Sequence, residues 1–159
     1  MCYIWYMKSR SIFVLCAVVV VVLATLSFRK MNDEPWKPEQ LLAPAELAKT
    51  IGDPAVKQPM VICIGPGAVI KGSIDIGPAK DSDNVNKLRQ RLSQLPKDAD
   101  IVIYCGCCPM DRCPNIRPAW NALKELGFTR VRVLNIPTNM AADWYQKDYP
   151  SEAGSAGAQ

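Results

Sequence analysis

The cysteine-rich stretch at residues 101–117 constrains the fold more than any other part of this chain; it reads IVIYCGCCPMDRCPNIR. Four apolar residues are followed by four cysteines within nine residues, and Pro114 then begins a segment with helical periodicity. This order predicts a buried strand, a loop and a helix N-terminus. Backbone N–H groups at a helix N-terminus stabilise thiolates and bind anions, so the stretch is typical of a reactive thiol site.

Short apolar runs and amphipathic segments alternate along the rest of the chain. Strands are predicted at residues 41–42, 60–64, 69–76, 101–104 and 131–134, and helices at residues 44–50, 82–95, 114–126 and 140–146. Such alternation predicts an α/β fold with a mostly parallel central sheet and helices on both faces. Because ligands bind beyond the carboxyl ends of parallel strands, Cys105 at one strand end and Cys63 near another are candidate site residues.

The N-terminal residues 1–30 predict a signal peptide or a membrane anchor. Residues 12–24 are continuously apolar, and Lys8, Arg10, Arg29 and Lys30 flank them. Residues 25–28 extend this segment from thirteen to seventeen residues, which falls between a signal-peptide core of about 7–15 residues and a full membrane span of about 20. Either reading predicts export to the cell envelope, as a periplasmic or membrane-anchored protein. Residues 31–40 read as a linker, residues 41–150 as the domain and residues 151–159 as a disordered tail.

The charge distribution gives no argument for a nucleic-acid-binding surface. The chain has 19 Lys and Arg against 15 Asp and Glu, and the whole excess comes from the four basic residues that flank the apolar segment. The predicted domain is therefore neutral, and no nucleic-acid partner is expected.

The side-chain inventory also limits the chemistry. Cys2 and Cys16 lie in the leader, which leaves five cysteines for the exported part. An odd number leaves at least one thiol outside any set of disulfides. Since the chain has no histidine, Ser-His and Cys-His catalysis are excluded, and any metal site would have to be rich in thiolates.

Five segments, in order, resemble the rhodanese-like sulfurtransferase family across residues 41–150. They are PAELAKTIG, KGSIDIGPA, LSQLPKDADIVIYC, ALKELGFTRVRVL and ADWYQKDYP. The chain departs from the family pattern at three points and in its expanded cysteine loop. Ser73 stands for the histidine of the family's turn, Asn139-Met140 replaces the Gly-Gly before the closing Trp, and Cys63 stands close to where the family has the aspartate of Asp-x-Arg.

The resemblance implies an enzyme similar to thiosulfate sulfurtransferases that carries sulfane sulfur as a cysteine persulfide. Its strand position assigns the nucleophile to Cys105, whereas the family's Cys-x4-Arg loop assigns it to Cys107 with Arg112 as the anion-binding residue. The implied partners are a small anionic sulfur donor such as thiosulfate and a thiol acceptor, with no cofactor.

The other thiols leave alternatives open. Cys107, Cys108, Cys113 and Cys63 are candidates for relaying sulfur or resolving an oxidised Cys105, and Cys108 with Cys113 is the easiest disulfide by spacing. Alternatively, a soft metal, Cu(I) or Zn(II), binds the loop, with Cys105, Cys107, Cys108 and Cys113 as ligands. The corresponding alternative functions are a metal-binding module and an inactive interaction domain with a disulfide-stapled loop.

Overall fold

A five-stranded parallel sheet organises the structure, a computed structural model that describes residues 34–152. The strand order is β1-β5-β4-β2-β3, and every pairing is parallel. The strands are β1 Leu41–Leu42, β2 Met60–Cys63, β3 Ile74–Asp75, β4 Ile101–Tyr104 and β5 Val131–Leu134. The α/β class and the parallel sheet predicted from the sequence are confirmed.

Four α-helices cover the two faces of this sheet. They are α1 Pro44–Gly52, α2 Ser82–Leu92, α3 Ile116–Glu125 and α4 Met140–Asp143, and short 3₁₀ turns lie at Pro38–Gln40, Met110–Arg112 and Tyr145–Lys147. Apolar residues of α2 and α3 pack on one face, and apolar residues of α1 and α4 pack on the other. The predicted helices on both faces are therefore present.

Strand β4 lies at the centre of the sheet, and all four of its residues are fully buried. Its side chains alternate, as a strand requires. Ile101 and Ile103 join the core beneath α2 and α3, whereas Val102 and Tyr104 join the core on the opposite face. The next residue, Cys105, continues the alternation and belongs to the α2–α3 side.

Several predicted boundaries differ from the structure. The strand predicted at residues 69–76 is only Ile74–Asp75, because Gly72 and Gly77 on either side adopt positive φ angles of 74° and 89°. Helix α3 begins at Ile116 rather than at Pro114. Helix α4 ends at Asp143, and its continuation is a 3₁₀ turn.

The two ends of the described segment are tied to the domain. Trp36, in the predicted linker, is buried and packs edge-on against Trp120 with ring centroids 5.8 Å apart. At the other end, Ser151 forms an antiparallel bridge with Ile70, and the Glu152 N–H donates to the Val69 carbonyl at 2.9 Å.

The predicted leader at residues 1–30 lies outside the described residues. Within residues 34–152, no helix is long and apolar enough to cross a membrane.

Candidate active site: a four-thiol loop beside a cleft

Four thiols gather beyond the carboxyl end of β4. The Sγ atoms of Cys105, Cys107, Cys108 and Cys113 all lie within 4.8 Å of one another. Cys105 and Cys113 are buried, Cys108 is half-buried and Cys107 is exposed. The Cys105 and Cys107 sulfurs are 3.1 Å apart, and those of Cys107 and Cys108 are 3.3 Å apart. The cluster thus runs from a buried sulfur to the surface.

Cys63 does not join this cluster. It ends β2 on the opposite face of the sheet, and its thiol donates to the Gly67 carbonyl at 3.3 Å. Burial raises the pKa of the Cys63 thiol to about 11. Cys63 therefore lies outside the group of thiols whose sulfurs are in mutual reach, although its role as a relay thiol stays a prediction.

Asn115 is the buried polar residue that supports the cluster, and the sequence analysis missed it. Its side-chain oxygen accepts the Lys80 N–H at 2.9 Å, which directs the side-chain NH₂ group towards the sulfurs. That group donates to Cys105 Sγ at 3.2 Å and lies 3.8 Å from Cys107 Sγ. Asn115 stands at the N-cap of α3, yet it does not cap the helix with its side chain.

The backbone N–H groups at the start of α3 point at Cys113 rather than at Cys105. The Cys105 thiol and the N–H groups of Asn115 and Ile116 donate to the Cys113 sulfur, and together they lower its pKa to about 5. The hydrogen bond with Cys113, and then burial, raise the pKa of Cys105. The N–H groups at the start of α3 therefore stabilise the Cys113 sulfur, and the role of Cys105 as the nucleophile stays a prediction.

The two arginines near the loop behave differently. Arg112 is exposed, and its guanidinium lies 3.6 Å from the Asp111 carboxylate. Its proposed role in binding an anion stays a prediction. Arg117 donates to the backbone carbonyls of Asp111 at 3.1 Å and Cys113 at 3.4 Å. Arg117 therefore supports the shape of the loop through its backbone.

Two glycines allow the loop to approach its neighbours. A Cβ on Gly65 would lie 2.8 Å from Cys105 Sγ, and a Cβ on Gly106 would overlap with Cγ of Met140. The Met110 N–H donates to the Ile136 carbonyl at 3.3 Å, which fastens the loop to the segment after β5. The loop is thus held closely on three sides.

An open cleft of about 370 Å³ reaches the cluster from solvent. Its walls come from the β2–β3 connection, the cysteine loop and the start of α4. The described residues that line it carry no charge; they are Pro66, Gly67, Val69, Gly106, Cys107, Asn139, Met140, Ala141 and Tyr145. Of the four clustered thiols, Cys107 is the one among these lining residues. A ligand in the cleft would meet Cys107 first.

Tyr104 holds the wall of this cleft from inside the domain. Its hydroxyl accepts the backbone N–H groups of Val69 at 3.0 Å and Ile70 at 3.2 Å, and it pairs with the Ser73 hydroxyl at 2.9 Å. Burial raises the pKa of Tyr104, so the phenol stays protonated. The residue before Cys105 thus shapes the connection that faces Cys107.

Comparisons with family models and with solved structures each give matches. The model of the rhodanese-like domain matches residues 66–136. The Alr3790 protein from Anabaena sp. is 21% identical in sequence, with a TM-score of 0.49, over 70% of this chain and 90% of that chain. The EanB protein, solved as a cysteine-to-serine variant with hercynine, is 18% identical, with a TM-score of 0.48, over 70% of this chain and 27% of that chain.

No curated protein matches the sequence significantly. The family match runs from the β2–β3 connection to the residues after β5 and contains the whole cysteine loop. Residues 66–136 of the chain therefore match the rhodanese-like domain.

Proposed function

We propose that the domain is a sulfurtransferase in which Cys107 takes up a sulfane sulfur from a donor in the cleft. The observation that carries this proposal is the position of the two nearest thiols. Cys107 is exposed and lines the cleft, whereas Cys105 is 2% exposed and lies behind it, with 3.1 Å between their sulfurs. An external donor reaches Cys107 without any rearrangement of the loop, which favours Cys107 over Cys105 as the first acceptor.

The transfer consists of two exchanges at sulfur. The Cys107 thiolate attacks the outer sulfur of thiosulfate, the S–S bond of the donor breaks, and sulfite leaves with the electron pair. A persulfide, Cys107–S–S⁻, remains on the protein. The thiolate of an acceptor then attacks the outer sulfur of this persulfide, which restores the Cys107 thiolate and carries the sulfur away.

The buried thiols provide a second position for the sulfur. Attack of the Cys105 thiolate on the outer sulfur of the Cys107 persulfide moves the sulfur to Cys105 and frees Cys107. Attack on the inner sulfur instead gives a Cys105–Cys107 disulfide and releases hydrosulfide. The distance of 3.1 Å between the Cys105 and Cys107 sulfurs places the inner sulfur of such a persulfide within reach of Cys105.

Intact mass spectrometry tests the assignment. The reduced full chain, freed of reductant without air, is incubated with thiosulfate or inorganic polysulfide. We expect one added sulfur atom that cyanide removes as thiocyanate. The Cys107→Ser variant should gain none, and the Cys63→Ser variant should load like the wild type because Cys63 lies on the opposite face of the sheet.

The outcome with Cys105→Ser separates the two candidate nucleophiles. We expect this variant to load sulfur, since Cys107 remains. Loading that survives Cys107→Ser and disappears in Cys105→Ser would assign the nucleophile to Cys105 instead. Absence of an adduct with both donors would overturn the sulfurtransferase proposal.

We also propose that the domain works in the cell envelope. The support is the apolar segment at residues 12–24 with its basic flanks. Fractionation of cells that express the full chain tests this, and recovery of the protein only in the cytoplasm would contradict it.

A further inference from the structure

We infer that the four clustered thiols also form a binding site for one soft d¹⁰ cation of the class of Zn(II) and Cu(I). The ligands are Cys105, Cys107, Cys108 and Cys113, whose sulfurs lie within 4.8 Å of one another. At a Zn–S distance of about 2.3 Å, the sulfurs of a tetrahedral site lie about 3.8 Å apart. The cluster therefore needs shifts of an ångström or less to surround such an ion.

The donor set selects the class of ion. The chain contains no histidine, so no imidazole is available, and the one carboxylate within the loop, Asp111, pairs with Arg112. Four sulfur donors favour soft or borderline cations over Mg²⁺ or Ca²⁺, which prefer oxygen. Each thiol that coordinates the ion gives up its proton to solvent.

The surroundings of the sulfurs resemble the outer shell of a thiolate metal site. The Asn115 side chain donates to Cys105 Sγ, and its orientation is fixed by the Lys80 N–H. Such outer hydrogen bonds hold ligands in place and disperse the negative charge of the thiolates. Cys105 and Cys113 are buried, which shields the sulfurs from water.

The loop backbone is built before any ion arrives. Between Cys108 and Cys113 the chain forms the 3₁₀ turn Met110–Arg112, and the Cys113 N–H donates to the Met110 carbonyl at 3.2 Å. Arg117 holds the Asp111 and Cys113 carbonyls from outside. Exposed Cys107 provides the path by which an ion enters.

Metal binding and sulfur uptake would exclude each other, because both use Cys107. An ion coordinated by the cluster occupies the sulfur that would attack the donor. The two activities nevertheless differ in their other requirements: sulfur uptake by Cys107 needs no contribution from Cys108, whereas a four-coordinate site does. Cys108 therefore separates a failure of this inference from a failure of the sulfurtransferase proposal.

Titration of the reduced full chain with Co(II), a spectroscopic substitute for Zn(II), tests the site. We expect one equivalent to give thiolate-to-cobalt charge-transfer bands and tetrahedral ligand-field bands, and Zn(II) to remove them. A parallel titration measures the affinity for Cu(I), in competition with a chelator whose Cu(I) complex absorbs visible light. Binding of one Zn(II) or one Cu(I) per chain supports the site, and the two titrations identify which ion is held more tightly.

The variants decide whether the cluster is the site. Cys108→Ser should weaken binding of the metal ion at least about tenfold and lose the four-thiolate spectrum, and it should still load sulfur. Asn115→Ala should weaken binding of the metal ion about 10–100-fold. Cys113→Ser, checked for folding by circular dichroism, is the second ligand variant, and Cys63→Ser is the matched control that should bind like the wild type. No binding of any of the three ions, or binding unchanged in both Cys108→Ser and Cys113→Ser, would overturn the inference.

Discussion

Asn115 shows how one buried amide can determine the behaviour of several thiols. Its oxygen satisfies a backbone N–H of the segment before α2, and its nitrogen faces two sulfurs. Only the nitrogen of the amide can donate. Because the oxygen accepts the Lys80 N–H, the nitrogen is the end that faces the sulfurs. The residue thereby connects the cysteine loop to Lys80 across the α2–α3 side of the sheet.

Replacement of Asn115 by alanine should lower the stability of the domain. The Lys80 N–H loses its acceptor and a cavity forms, so we expect the free energy of unfolding to fall by about 1–3 kcal/mol. Urea unfolding measures this loss. Asn84→Ala is the control, since Asn84 is less buried and donates one hydrogen bond, to the Pro78 carbonyl. Equal losses in the two variants would contradict the special role of Asn115.

Cys63 should make the stability of the domain depend on pH in the alkaline range. Its pKa in the folded protein is about 11, above its usual value of 9. Between these values the unfolded chain loses the proton while the folded chain keeps it, so stability is complete below about pH 9 and falls as pH rises towards 11. Two pH units correspond to about 3 kcal/mol.

The Cys63→Ala variant isolates this contribution. Other groups titrate in the same range, but they are common to both proteins. The difference in unfolding free energy between wild type and variant, measured under reducing conditions from pH 8 to 11, should shrink as pH rises. A difference that is constant with pH would show that the thiol ionises equally easily in both states.

At the scale of elements, the end of β4 contributes side chains to both faces of the sheet. Tyr104 reaches the β2–β3 connection on one face, and Cys105 reaches the α2–α3 side on the other. The connection lines the cleft that leads to Cys107. The position of the cleft wall therefore depends on a side chain from the central strand.

The Tyr104→Phe variant should loosen that wall. Two backbone N–H groups, those of Val69 and Ile70, lose their acceptor, at a cost of about 1–3 kcal/mol. We expect faster amide hydrogen exchange at residues 69 and 70. Ser73→Ala is the matched control, because it removes the remaining partner of the phenol but leaves both N–H groups satisfied. Unchanged exchange in Tyr104→Phe would contradict this account.

Across the whole molecule, the last described residues secure the connection beside the cleft. The Pro150 carbonyl accepts the Trp144 indole N–H at 3.2 Å and the Lys71 N–H at 3.1 Å. Ser151 and Glu152 then pair with Ile70 and Val69. Trp144 is fully buried, and the residues that follow it thus hold it in place.

Truncation should reveal the contribution of this segment. Removal of residues 150–159 deletes several hydrogen bonds, each worth about 0.5–1.5 kcal/mol, so a loss of about 2–4 kcal/mol is expected. Removal of residues 153–159 keeps all of these contacts and serves as the control. Thermal unfolding followed by tryptophan fluorescence measures both. Equal melting temperatures for the two truncations would contradict the proposed role.

The sequence was a sufficient guide to features that hydropathy encodes and a poor one to those that depend on single polar contacts. The strands, the sheet type and the gathering of four cysteines follow from apolar runs and their order. Asn115 has no such signal, since a buried amide and an exposed one look alike in sequence. Trp36 was missed because prolines and charges surround it.

The sulfur that receives the helix N–H groups could not be read from spacing either. Cys113, and not Cys105, receives the N–H groups at the start of α3, because the chain closes the turn Met110–Arg112 before it enters the helix. The length of that turn decides which sulfur meets the helix. A count of residues between cysteines does not contain this information.

The alternation of side chains at the end of β4 also limits how this domain can change in length. An insertion or deletion of one residue within Ile101–Tyr104 would move the Tyr104 and Cys105 side chains to the opposite faces of the sheet. The cleft wall would lose the support of the phenol, and the packing of the core would be disrupted. Between Cys108 and Cys113 the chain is a surface turn, where added residues would leave the strand register intact. A change in length between Cys108 and Cys113 should therefore preserve the sheet while altering the thiol cluster, whereas a change within Ile101–Tyr104 should disrupt the sheet itself.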